Sequence, residues 1–313
     1  MEQILSLDIT ERDACLACYT LNETGLSQEW REFLFCPFVN DVSDTFPSNV
    51  DRDDMIGLFL DLVVIKSRAH GLEGRLNAVA ANEIQHQRNA DKLIRMADER
   101  GIDLSLVNLA VADACSVPGD GRVLVIDQRY EILIGAVIDL SGERPVVERA
   151  HLSDYGWGRF HRILLKLMTA GVYTVCDQFG LDSKVYVKQA RKAAVSCLGR
   201  VLSGGMKSIG IGEGDERIEV NVPYEIINTL VPGSTANLLH GNMGEAAVID
   251  RDHFLSADRV VIAGTNDAMR LVRDKVLTAV PEVAERTAVN EPWDGTLLGA
   301  ARYGLMLKKG TEA

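Results

Sequence analysis

The sequence predicts an α/β protein made of two similar lobes. Strand-like and helical patterns alternate along most of the chain, which is typical of α/β folds. In addition, one arrangement occurs twice: a strand ends on an aspartate, turns, and is followed by a return strand. The first copy covers residues 4–21 and contains Asp8, and the second covers residues 123–140 and contains Asp127. This repeat predicts an internally duplicated fold.

The first half of the chain has the pattern expected of one lobe. Helical periodicity at residues 55–70 and 84–100 alternates with short apolar strands, and a small helix closes the half. A Pro-Gly-Asp-Gly break then occurs at residues 118–121. We therefore predict a first lobe over residues 1–119 and a second over 120–313. The other predicted elements of this half are strands at 75–81 and 104–107 and a helix at 110–116.

The second half repeats the hairpin and adds longer helices. Two helices are predicted in succession, at residues 158–179 and 185–202, and a β-hairpin is predicted around the glycines at 204–214. The remaining elements expected here are a strand at 218–222, a helix at 223–230, a strand at 259–263, and helices at 267–279 and 295–306.

Charge and hydropathy limit the partners that we expect. The chain carries a formal net charge of −12, which opposes binding to nucleic acids and to anionic lipids through bulk electrostatics. No apolar stretch approaches the roughly 18 residues that a membrane span needs. The first residues are acidic rather than basic, unlike a secretory signal. These features predict a cytoplasmic protein.

The six cysteines are scattered and predict reduced, buried thiols. Cys15 and Cys18 form a Cys-x-x-Cys pair, but no second pair or His pair accompanies them as a zinc site would require. They lie in a predicted strand, where residues three apart point to opposite faces. Core packing is therefore expected, with metal or redox chemistry as the alternative.

Several segments in order resemble the nucleotide-binding domain of the 70-kDa heat-shock chaperones, within the actin and sugar kinase superfamily. The hairpins at Asp8 and Asp127 are similar to the two phosphate hairpins of that family. The other similar segments are 76–88 (strand and helix start), 107–114 (connecting helix), 154–160 (Leu-Gly-Gly-x-x-Phe), 260–265 with 271–272 (adenosine turn) and 291–301 (closing Gly-Ala-Ala). The resemblance implies an actin-like ATPase fold of the ribonuclease H type.

The resemblance also implies where a nucleotide would bind. ATP or ADP with Mg²⁺ would lie between the hairpins, with Asp8 and Asp127 holding the metal. The implied binding residues are Asp8, Thr10, Glu11, Arg12, Asp127, Arg129, Glu131, Gly156, Gly158, Gly264, Thr265 and Asn266.

The two turns depart from the family pattern. The first has Thr10-Glu11-Arg12 where the chaperones have Gly-Thr-Thr, and the second has no glycine in residues 128–132. The chain between the first hairpin and residue 75 is also far shorter than in the family, so the insertion that carries the catalytic lysine is expected to be missing. No catalytic residue is assigned.

The charges at the turns oppose nucleotide binding, because Glu11 and Glu131 would lie near the phosphate position. A carboxylate about 4 Å from a phosphate costs about 4 kcal/mol at an effective dielectric constant near 20. Three interpretations remain open: solvated turns, a cleft closed by internal ion pairs of Arg12 and Arg129 with the glutamates, and an unusual nucleotide site.

Three functions are consistent with this sequence. The first is a non-catalytic, chaperone-like adaptor or regulator that binds a protein partner. The second is a weak ATP- or ADP-binding switch with slow or no hydrolysis. The third is an actin-like, filament-forming protein, and a homo-oligomer is compatible with each of the three.

Overall fold

A computed structural model describes most of the chain. The described residues are 2–10, 13–36, 52–82, 87–130, 132–153, 156–202, 207–212, 214, 217–222, 249–265, 269–291 and 293–311. The fold is mixed α/β and contains two five-stranded mixed sheets. Within the described residues no helix is both long and apolar enough to cross a membrane.

The first sheet has the strand order β3-β2-β1-β4-β5. Its first three strands form an antiparallel meander, and β4 and β5 continue from β1 in parallel. The strands are β1 (Glu2–Asp8), β2 (Asp13–Asn22), β3 (Gly25–Phe35), β4 (Leu76–Asn82) and β5 (Ile102–Asn108).

The second sheet repeats this arrangement, in the order β12-β11-β6-β7-β8. Strands β6, β7 and β8 form the antiparallel meander, and β11 and β12 continue from β6 in parallel. The strands are β6 (Arg122–Gln128), β7 (Leu133–Asp139), β8 (Val146–Ser153), β11 (Arg259–Gly264) and β12 (Thr287–Val289). The two sheets therefore share strand order and strand direction, as the repeated hairpin predicts.

Two helices lie between the sheets and form the central layer. Helix α3 (Leu109–Cys115) follows β5, and helix α8 (Asp294–Thr311) ends the chain. They cross so closely that a Cβ atom on Gly299 would lie 1.6 Å from the Ala112 carbonyl oxygen. Since no side chain fits there, glycine is required at the crossing. Their apolar side chains form one core with the inner faces of both sheets.

Helix α8 packs on the first sheet, although the sequence places it in the second lobe. Ser6 Oγ in β1 donates a hydrogen bond of 2.6 Å to the Leu297 carbonyl oxygen. Farther along, a Cβ on Gly304 would lie 2.6 Å from Val79 Cγ2. The chain thus returns at its end to the sheet from which it started.

The outer faces of the sheets are covered by separate helices. Helices α1 (Arg52–Ala69) and α2 (Gln87–Asp98) pack on the first sheet. Helices α6 (Arg251–Ser256) and α7 (Met269–Ala279) pack on the second, beside a 3-10 helix (Pro281–Arg286). The result is a five-layer arrangement in which helices alternate with sheets.

A further unit leaves the second sheet after β8. Helices α4 (Trp157–Phe179) and α5 (Ser183–Leu202) pack against each other and against the hairpin of β9 (Ser208–Ile211) and β10 (Ile218–Asn221). Their buried side chains form a core of their own. Both helices and the hairpin are predicted by the sequence.

The cysteine prediction is confirmed, because all six thiols are free and buried. Cys15 belongs to the core between the sheets, whereas Cys18 belongs to the core under α1 and α2. The pair therefore points to opposite faces of β2. Burial raises the pKa of Cys15 to about 12 and that of Cys18 to about 11.

Candidate functional site

The two hairpins bring Asp8 and Asp127 to equivalent positions of the two sheets. Asp8 ends β1 and lies beside Ala81 of the parallel strand β4, and Asp127 in β6 lies beside Ala263 of the parallel strand β11. Both side chains are fully buried, with no exposed surface. Burial of a carboxylate is costly unless hydrogen bonds and an opposite charge compensate it.

The compensating charge is the guanidinium of Arg129, which is only 1 % exposed. Its Nε donates to both carboxylate oxygens of Asp127, at 2.7 and 2.9 Å. Its Nη1 donates to Asp8 Oδ2 at 2.5 Å. A planar guanidinium with donors on several edges can bond two carboxylates at once, so this side chain links the two sheets.

A hydroxyl on the terminal helix completes the cluster. Arg129 Nη2 donates to Thr296 Oγ1 at 2.7 Å, and this hydroxyl donates in turn to Asp113 Oδ1 at 2.6 Å. Asp113 lies on α3, and its Oδ1 is 4.0 Å from Arg129 Nη2. Four segments from both halves of the chain therefore meet at Arg129. We refer to Asp8, Asp113, Asp127, Arg129 and Thr296 as the Arg129 cluster.

The cluster holds three carboxyl groups and one guanidinium. Burial raises the pKa of Asp113 well above its ordinary value, and the neighbouring charge of Asp127 raises it further. Arg129 and the hydrogen bond from Thr296 act in the opposite direction. The protonated, neutral form of Asp113 is thus favoured, so Asp113 adds no negative charge to the cluster.

The first turn is held by Asp8 itself. Asp8 Oδ1 accepts hydrogen bonds from the Thr10 amide at 3.1 Å and from the Thr10 hydroxyl at 2.6 Å. This pattern is an Asx turn, in which a side chain replaces a backbone partner. Both carboxylate oxygens of Asp8 are thereby engaged, one by its own turn and the other by Arg129.

The second turn meets the start of helix α4. The Trp157 amide donates to the Arg129 carbonyl at 2.8 Å, and the Gly158 amide donates to the Tyr130 carbonyl at 2.7 Å. Gly158 is required by this contact, because a Cβ there would lie 2.6 Å from the Tyr130 oxygen. Free amides at a helix start commonly bind anions. Here the amides of Trp157 and Gly158 already donate hydrogen bonds to the second turn.

The implied adenosine turn also contacts the second hairpin. A Cβ on Gly264 would lie 2.7 Å from the Gln128 carbonyl oxygen, so the two backbones approach closely. The indole Nε1 of Trp157 donates to Thr265 Oγ1 at 3.2 Å, and the ring packs edge-on against Tyr130 at 4.5 Å. Gly156 precedes α4 and provides no side-chain cap.

The structure brings together only part of the predicted site. Asp8, Asp127 and Arg129 form one cluster, with Thr10 beside it, whereas Gly158, Gly264 and Thr265 surround the second turn. Glu11, Arg12, Glu131 and Asn266 lie outside the described residues, and the proposed Arg–Glu pairs are untested. What is observed for Arg129 is pairing with the two aspartates themselves.

Sequence reasoning missed Asp113 and Thr296. Asp113 is the one charged residue of an Ala-rich helical segment, and a lone acid in an apolar helix was a usable signal. Thr296 gave no comparable signal, because a single hydroxyl in a helix is ordinary. Among the described residues there is no group of three or more His, Cys, Asp or Glu that could hold a metal ion.

Two comparisons with known protein sequences find no relative of this chain. No protein-family model matches the chain. A search among curated proteins likewise finds no significant match. Function is therefore inferred from the Arg129 cluster and its surroundings.

Proposed function

We propose that this chain is a non-catalytic, actin-like protein of the heat-shock chaperone type, which works as an adaptor or regulator for a protein partner. The observation that carries the proposal is the buried Arg129 guanidinium between Asp8 and Asp127. In a nucleotide-binding relative, two such aspartates would hold Mg²⁺ and its waters. Here one internal cation pairs with both of them.

Charge and hydrogen bonding both favour a closed cleft. Mg²⁺ close to the guanidinium would add like-charge repulsion in a region from which water is excluded, where such repulsion is strong. A phosphate would also need free donors, whereas the amides of Trp157 and Gly158 already bond the turn. Binding a nucleotide would thus require Arg129 to leave Asp8 and Asp127, at a cost of several kcal/mol.

A fixed arrangement of the two sheets suits an adaptor better than a switch. A nucleotide switch needs two states of similar free energy, which the ligand selects by its differential affinity. The Arg129 cluster instead joins β1, β6, α3 and α8 by direct hydrogen bonds that need no ligand. A rigid two-sheet body presents a constant surface to a partner.

Isothermal titration calorimetry with Mg²⁺ and ATP tests the proposal. We expect no binding to the natural protein up to millimolar nucleotide. A dissociation constant below about 100 µM, or roughly 5.5 kcal/mol of binding free energy, would contradict the closed cleft. Measurable ATP hydrolysis by the purified chain would contradict the non-catalytic assignment.

Arg129→Ala provides the informative variant, with Arg75→Ala as the control. Arg75 pairs with Asp98 on the surface, and both side chains are more than half exposed. If Arg129 closes the site, only Arg129→Ala can gain Mg²⁺ or nucleotide binding. Equal behaviour of the two variants, with circular dichroism showing both folded, would remove the role assigned to Arg129.

A further inference from the structure

The helical pair α4–α5 carries a charge opposite to that of the whole chain. Residues 157–202 contain eight Lys and Arg but two Asp, a net charge of +6 in a chain of net charge −12. The basic residues are Arg159, Arg162, Lys166, Lys184, Lys188, Arg191, Lys192 and Arg200. The overall acidity that argues against anionic partners therefore does not hold for this unit.

Four of these residues form an exposed row on α5, which we call the basic row. Lys184, Lys188, Arg191 and Lys192 are all exposed, and their spacing puts them on one side of the helix. None of the four forms an ion pair with any residue that the structure describes. By contrast, other surface arginines have partners, such as Arg122 with Glu148 at 2.6 Å.

Large apolar side chains are exposed where the two helices meet. Phe179 is 67 % exposed, Leu181 39 % and Val185 57 %. Gly180 ends α4 in the left-handed conformation, with φ of 67°, and so turns the chain sharply between Phe179 and Leu181. We call residues 179–185 the α4–α5 tip. Its apolar side chains lie next to the start of the basic row.

We propose that the α4–α5 tip docks on an anionic lipid surface, with its apolar side chains in the interface and the basic row over the lipid phosphates. Exposed apolar residues beside lysines and arginines are typical of interfacial membrane helices. The cations of the basic row complement the negative surface potential of an anionic bilayer, and the neighbouring exposed apolar side chains suit its interfacial region. Leu181 and Val185 are aliphatic and offer no aromatic ring on which nucleic acid bases could stack.

The charges elsewhere in the protein do not prevent this docking. At physiological salt, exposed charges separated by more than about 8 Å are largely screened. The lipid phosphates therefore interact mainly with charged side chains close to the tip. Asp177 and Asp182 lie at the same end and reduce the attraction, but they are outnumbered by the four residues of the basic row. This inference is independent of the function proposed for the Arg129 cluster.

Vesicle flotation with the full chain tests the inference. We expect the protein to float with phosphatidylcholine vesicles that contain about 30 % phosphatidylglycerol, and not with pure phosphatidylcholine. Raising the salt concentration to about 0.5 M should reduce flotation. Each basic residue near an anionic surface is worth about fivefold in partitioning, so Lys184→Glu with Lys188→Glu should lower it about 25-fold or more.

Matched variants separate the tip from general charge effects. Arg95→Glu with Arg273→Glu makes the same charge change on α2 and α7 and should leave flotation unchanged. Phe179→Ser with Leu181→Ser should reduce flotation, whereas Ile65→Ser on α1, where Ile65 is also exposed, should not. All variants are first compared by circular dichroism.

Three results would overturn the inference. The first is absence of the natural protein from the floating fraction at low salt with anionic vesicles. The second is equal loss of flotation in the tip variants and their controls. The third is tip-dependent binding to single-stranded DNA, measured by fluorescence anisotropy, without binding to vesicles.

Discussion

Removal of the Arg129 guanidinium should destabilise the fold more than removal of any surface arginine. In Arg129→Met the aliphatic volume is largely kept, but Asp8 and Asp127 are left buried without a cation. Opposite charges about 4 Å apart interact by about 4 kcal/mol at an effective dielectric constant near 20. Loss of one partner of a buried pair costs about 3–5 kcal/mol. We therefore expect the free energy of unfolding to fall by about that amount.

A double-mutant cycle in urea measures the link between the sheets directly. Arg129→Met, Asp8→Asn and the double variant should be non-additive by about 2 kcal/mol or more, because Arg129 Nη1 lies 2.5 Å from Asp8 Oδ2. Arg75→Met is the control, and its urea denaturation midpoint should equal that of the natural protein. Additive effects at Arg129 and Asp8, or a midpoint shift no larger than that of Arg75→Met, would refute the reasoning.

Three further predictions follow from the same central layer. Gly299→Ala should destabilise the protein by about 3 kcal/mol or more, because its Cβ would meet the Ala112 carbonyl at 1.6 Å; Gly57→Ala, which meets only the movable end of an arginine side chain, should be neutral or slightly stabilising in the same urea titration. In Asp113→Asn, the free energy of unfolding should lose part of its dependence on pH. The pKa of Asp113 is raised in the folded state, so its contribution to stability falls as pH rises above the unfolded pKa of 3.8. The stability difference between Asp113→Asn and the natural protein should then grow with pH by up to about 1.4 kcal/mol per unit, and a constant difference would contradict a protonated Asp113. The buried thiols should be unreactive toward Ellman's reagent in the native state and react fully in urea; rapid native labelling of Cys15 would be inconsistent with its raised pKa.

Much of the fold could be predicted from the sequence because its strands are strongly apolar. The hairpins around Asp8 and Asp127 form as expected, and the predicted helices at 55–70 and 158–179 correspond to α1 and α4 within a few residues. Apolar periodicity and turn-forming residues are local properties of the chain, so they can be recognised in one sequence without knowledge of long-range contacts. The last predicted helix, 295–306, was too short, since α8 continues to Thr311.

Strands β3 and β8, each at one edge of its sheet, were missed for a physical reason. β3 (Gly25–Phe35) has mostly exposed or half-buried side chains and includes Gln28, Glu29 and Arg31, so it lacks the apolar alternation of a strand. Its pairing with β2 over the length of that strand decides its conformation. β8 was missed similarly: Val146, Val147 and Leu152 are exposed, and the strand forms by pairing with β7.

The site could be predicted only in part, because its geometry depends on contacts between distant residues. Asp8 and Arg129 are 121 positions apart, and Arg129 and Thr296 are 167 apart. The sequence shows charged turns near both aspartates, but it does not show which charges meet. Of the three interpretations that the sequence leaves open, we favour a cleft closed by internal ion pairs, with aspartates rather than glutamates as the observed partners of Arg129.

The most direct test of the account is a crystal structure from crystals grown with excess Mg²⁺ and a non-hydrolysable ATP analogue. We expect continuous electron density for the Arg129 side chain between Asp8 and Asp127, with neither metal nor nucleotide at these carboxylates. Density for Mg²⁺ coordinated by Asp8 or Asp127, with Arg129 turned away toward the phosphates, would contradict it.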